Sequence, residues 1–75
     1  MAMENVINVI VASPEEAYNG TAELWCGPDL VAVTTIHEGQ LHLRIDPRRD
    51  GAPWLIHVRS LADGLAEAAR RIDAY

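Results

Sequence analysis

Arg48 and Arg49 stand side by side in the segment Asp46-Pro47-Arg48-Arg49-Asp50-Gly51, shortly before Trp54. Two guanidinium groups on a loop stiffened by proline could grip a carboxylate or a phosphate through paired N–H donors, with the indole beside them. Arg48, Arg49 and Trp54 are therefore the candidate ligand- or partner-binding set, reached by elimination. The other chemistry-bearing residues group less well. His37, His42 and His57 have no Asp or Glu at a spacing that supplies a further metal ligand, so no metal is expected. Cys26 is the sole cysteine, close to a turn but without a base at a recognisable spacing, and reads as a small buried hydrophobe. Asp46, Asp50 and Asp63 could be imagined as acid and base, but turn and helix-cap roles account for Asp50 and Asp63. With no glycine-rich phosphate loop and no triad pattern, the chain reads as non-enzymatic and free of cofactors.

Size and charge narrow the class further. The 75 residues make one domain, spanning 1–75. So short a chain buries only about 60% of its unfolded surface, and neither a disulfide nor a zinc framework is available to compensate. Oligomerisation is the remaining common remedy, and an apolar content of 49% can supply the interface. The net charge of −5, with six arginines, no lysine and no basic cluster in the first half, argues against nucleic acid as a partner. No apolar run approaches the roughly 18 residues that span a bilayer. The apolar start carries Glu4 and no basic flank, unlike a signal peptide, and a single thiol suits a reducing compartment. A cytoplasmic protein is expected.

The elements that position these residues follow from pattern. Leu30 to Asp46 reads as a hairpin about a Glu38-Gly39 turn, pairing His37 with Gln40, Ile36 with Leu41, Thr34 with Leu43 and Ala32 with Ile45. One face then carries Leu30, Ala32, Thr34, Ile36, Leu41, Leu43 and Ile45; the other carries Val31, Val33, Thr35, His37, Gln40, His42, Arg44 and Asp46. Val6 to Ala12 is a β-branched run that reads as a strand covered on both faces. Ser13-Pro14-Glu15-Glu16 starts a short helical turn that Asn19-Gly20 ends. Thr21 to Cys26 reads as a strand, with Gly27-Pro28-Asp29 as an odd loop that leaves Glu23 and Trp25 on the Val31 side. Trp54 to Val58 reads as a short strand. Ser60 is expected to cap a helix whose Leu61, Leu65, Ala68, Ile72 and Tyr75 form one apolar stripe. Gly64 near that stripe permits close approach to the sheet.

The expectation is an α+β fold: an antiparallel sheet of four to five strands with one C-terminal helix across the Leu30 to Ile45 face. That arrangement leaves Trp25, Val31 and Val33 uncovered, and these residues are the expected homodimer interface.

Two resemblances bear on function. The order short helix, three strands, helix after Ser13 resembles a double-stranded-RNA-binding domain, a family with a lysine cluster where this chain has Leu61-Ala62-Asp63. The stretch Ser60 to Ala68 resembles the helix that follows a three-stranded sheet in HicB-type antitoxins, which implies an inhibitor of a partner protein. From the residues themselves, the expectation is a small interaction or regulatory accessory protein, homodimeric and with a further protein partner not identified by sequence. The alternative is a binder of small molecules or anions through the 46–54 loop.

Overall fold

The computed structural model describes residues 6–74. The elements run β1 (Ile7–Ile10), α1 (Pro14–Tyr18), β2 (Glu23–Cys26), β3 (Asp29–His37), β4 (Gln40–Ile45) and α2 (Val58–Asp73). The four strands form one antiparallel sheet in the order β1-β2-β3-β4, so the fold is α+β as expected. Tyr75 and the first five residues, including Glu4, lie outside the described residues.

The β3-β4 hairpin has the expected register throughout, from His37 opposite Gln40 to Ala32 opposite Ile45. Its turn places both Glu38 and Gly39 at positive φ, 53° and 78°, the backbone of a type I′ hairpin turn. Ser13 caps α1 by accepting the Glu16 N–H, Pro14 opens the helix, and Gly20 at φ 75° follows its end. Gly20 is further constrained by packing, because a β-carbon there would meet Ile36 Cγ1 at 2.5 Å.

The turn between β2 and β3 differs from the expected odd loop. Cys26 pairs with Asp29 across a two-residue turn, and the odd residue is a β-bulge at Val31, which Leu24 and Trp25 skip as they pair with Ala32 and Leu30. A bulge turns two successive side chains towards one side of the sheet. Val31 is thereby buried at 3% exposure next to Ala32, rather than standing on the outer face with Val33. Leu30 moves the other way, pairing with Trp25. Trp25 and Glu23 keep their expected outer-face positions, and Ala22 and Leu24 lie in the core.

Thr34 ties the interior together. Its buried hydroxyl donates to the Gly20 carbonyl and accepts from the Ala22 N–H, each at 2.7 Å. The hydroxyl thus satisfies backbone groups that the loop before β2 would otherwise bury unpaired.

Three further expectations are corrected around the last third of the chain. Trp54 to His57 forms no strand and pairs with none among the described residues. Its alternation instead drapes it over the sheet end, with Trp54 and Ile56 packed on the core and Leu55 exposed. α2 begins at Val58 with His57 as its cap, Nδ1 accepting the Arg59 N–H at 3.1 Å, so Ser60 lies inside the helix. Finally, α2 lies over β1 and β2, not over Leu41, Leu43 and Ile45. Gly64 and Ala68 are its buried residues, and Leu65 is 37% exposed on the flank turned away from β1. Among the described residues β1 is covered on this side alone, since Ile10 on the other face is exposed.

Candidate functional site

The structure brings Arg48, Arg49 and Trp54 together beside the β2-β3 turn. They line, with Asp29 and Asp50, a concavity of about 230 Å³. Arg48 Nη2 donates to Asp50 Oδ2 at 2.9 Å, and its guanidinium carbon lies 5.7 Å from the Trp54 ring centroid. Arg49 Nη2 donates to Asp29 Oδ1 at 3.3 Å. The Trp54 indole donates to the Asp46 carbonyl at 2.7 Å, which pins the indole to the end of β4. Asp50 also accepts the Ala52 N–H; that bond, with Arg48 alongside, holds its carboxyl below the usual 3.8. Both guanidinium groups thus already face carboxylates of their own chain. Each guanidinium spends one contact on a carboxylate of its own chain, which lowers the local positive charge, and the Arg49–Asp29 contact holds the loop against the β2-β3 turn.

Trp25 and Val33, expected at a dimer contact, share the outer face of the sheet. Both are half-buried, and the Trp25 indole donates to Glu23 Oε1 at 3.0 Å. Val31 has left this face for the core and Leu30 has taken its place beside Trp25, with the polar Thr35, His42 and Arg44 flanking it.

His37 and His42 meet edge to face, with ring centroids 5.2 Å apart, on the same outer face. His57 is engaged at the start of α2. Among the described residues no group of three or more His, Cys, Asp or Glu is close enough to hold a metal ion.

A feature not expected from the sequence lies on the helix side. Because α2 sits over β1 and β2, Ile36, Leu41 and Ile45 remain 47%, 41% and 64% exposed. Leu43 lies between Leu41 and Ile45 on β4, and pairs across the hairpin with Thr34. A groove of about 190 Å³, lined by Val31, Ala32, Leu43, Ile45, Trp54, Ile56 and Leu61, separates this half-sheet from α2. Leu65, one turn after Leu61, lies on the same flank of the helix. A signal for this was present: the small residues Gly64 and Ala68 mark where α2 approaches the sheet, and they rotate the helix contact away from Leu65. The site is thus a sheet face half covered by a helix, bordered by a loop whose charges are internally paired. No family model, no curated protein and no solved structure matches the chain.

Proposed function

We propose that the chain is a non-enzymatic interaction protein, a small regulatory or accessory subunit that works as a homodimer through the half of its sheet that α2 leaves open. One observation carries the reading: Ile36, Leu41 and Ile45 stand exposed on β3 and β4 around a partly buried Leu43, while α2 packs mainly on β1 and β2. Contiguous exposed apolar surface on a small domain is a contact surface in waiting, since its burial contributes about 25 cal/mol per Å² before association costs. A short domain also gains stability from association that its own core is too small to supply. The ligand-binding alternative is weakened by the pairing of Arg48 with Asp50 and of Arg49 with Asp29.

Sedimentation velocity between about 1 and 100 μM tests the reading, in a range that spans micromolar dissociation constants. A dimer that gains population with concentration is expected, and a monomer throughout that range overturns it. A photo-crosslinker in place of Ile45 should then give homodimer adducts, whereas one in place of Thr35, on the outer face of the same hairpin, should not. Adducts formed through position 35 alone would assign the contact to the outer face and overturn the surface named here.

A further inference from the structure

The two edges of the sheet are not equivalent. β1 is four residues long, and at its free edge Arg71 of α2 donates from Nη1 to the Val9 carbonyl at 3.1 Å. A guanidinium on an edge carbonyl blocks the addition of another strand there. β4 is longer, with six residues, and carries no proline and no bulge. The Asp46 N–H donates to the Val31 carbonyl at 2.9 Å, in step with the hairpin register. Alternation along an antiparallel strand then turns the backbone groups of Gln40, His42 and Arg44 towards β3, and those of Leu41, Leu43 and Ile45 outwards. Among the described residues nothing pairs with these outward groups. Two of the residues with open backbone groups, Leu41 and Ile45, also carry exposed apolar side chains on the helix side, with the partly buried Leu43 between them.

Resting on the homodimer reading above, we infer that β4 pairs antiparallel with β4 of a second copy about a two-fold axis at Leu43, making one eight-stranded sheet. The spacing of the outward residues is self-complementary about Leu43. A two-fold there sets Leu43 opposite Leu43 of the second copy and Leu41 opposite Ile45 of the second copy, so every outward backbone group finds a partner. An axis on His42 or Arg44 also sets outward groups against outward groups, but it places Ile45 opposite Gly39 of the turn, or Leu41 opposite Pro47, so only the axis at Leu43 pairs all three outward residues within β4. The side chains agree with the backbone. Apolar meets apolar along the helix side, and the two uncovered half-faces join between the two α2 helices. On the outer face Arg44 meets His42 of the second copy, and Arg44 is already neutralised by Asp46 at 3.2 Å. Strand addition of this length buries on the order of 1,000 Å² in total, at the lower bound of specific interfaces.

A charge swap tests the register. Leu41→Glu and Ile45→Lys each put a charge opposite an apolar residue of the second copy, and each should weaken dimerisation at least tenfold. The double variant Leu41→Glu/Ile45→Lys faces Glu with Lys twice across the two-fold and should recover most of that loss, with the recovery reduced by salt. The two positions stand too far apart on one strand to pair within a chain. Both are substantially exposed, so the fold should survive, and circular dichroism with a thermal melt confirms it for each variant. A double variant as weak as the poorer single variant overturns the register. Should the unmodified protein sediment as a dimer while neither single variant changes its dissociation, the dimer stands and the β4 edge is ruled out as its seam.

Discussion

Ile7 fills the space where a β-carbon of Gly64 would stand: an added carbon would lie 2.8 Å from Ile7 Cγ2 and 3.2 Å from its Cβ. This contact fixes α2 close over β1, and the consequence is felt at the other edge, where β4 is left without a helix. Gly64→Ala should therefore destabilise the protein, although alanine is the better helix former by about 1 kcal/mol. Overpacking against a β-branched side chain costs typically 1–3 kcal/mol, so a net loss of about 1 kcal/mol is expected in denaturant unfolding. The loss should be smaller in an Ile7→Ala background, where the clashing atoms are gone. A stabilised Gly64→Ala variant would contradict the close approach.

Thr34 offers a test of the interior. Thr34→Val keeps the shape but strands the Ala22 N–H and the Gly20 carbonyl, two groups that the hydroxyl now serves. Leaving buried polar groups unpaired costs about 1–3 kcal/mol each, so a loss of about 2–3 kcal/mol is expected. Thr34→Ser retains the hydroxyl and should cost clearly less. Equal losses for the two variants would mean that the methyl group, not the hydrogen bonds, carries the effect.

The position of the helix can be read from two leucines. Leu24 is fully buried under α2, whereas Leu65 is 37% exposed. Leu24→Ala should cost about 2–5 kcal/mol, as core truncations do, and Leu65→Ala only about 1 kcal/mol. The reverse order, measured by urea unfolding, would mean that α2 rolls its Leu65 flank onto β3 and β4.

Glu67 links the helix surface to the guarded edge. Its carboxylate accepts from Arg70 and Arg71, with the closest contacts at 2.6 Å, and these bonds keep its carboxyl below the usual 4.5. Because the folded value is the lower one, the contribution is fully present above the unfolded value and is lost as pH falls through the folded value. The pair is exposed, so the effect is small. The stability difference between the protein and its Glu67→Gln variant should hold steady between about pH 7 and pH 5.5 and shrink below the ordinary carboxylate range. A difference that grows on acidification would contradict this sign.

Much of this architecture was legible residue by residue. The Glu38-Gly39 turn and the alternation on both sides of it specify the hairpin register, since a one-residue slip would exchange its faces. The Ser13 cap and the Gly20 stop were equally readable. The bulge at Val31 was not, because Leu30 to Val33 is apolar at every position and pattern alone cannot say which residue is skipped. Trp54 to Val58 misled for a physical reason: its alternation is real, but it serves a segment draped over the sheet end, where no strand edge lies alongside. At the loop, Arg48, Arg49 and Trp54 do come together, yet the carboxylates that occupy the arginines could not be chosen beforehand. Asp29 is distant in sequence, and only the fold brings it to Arg49. The open half of the sheet depends on where a helix lands, which Gly64 hints at and tertiary packing decides.

The central claim is that the β4 edge is closed by a second copy, and amide hydrogen exchange at Leu43 tests it most directly. Its N–H points away from β3 and in a lone chain should exchange as readily as an unpaired edge amide. Raising the protein from a concentration where it sediments as a monomer to one where it sediments as a dimer should slow exchange at Leu41, Leu43 and Ile45 by about tenfold or more. Amides turned towards β3, such as those of His42 and Arg44, should change much less. Exchange at Leu43 that stays fast in the fully dimeric protein would contradict the account.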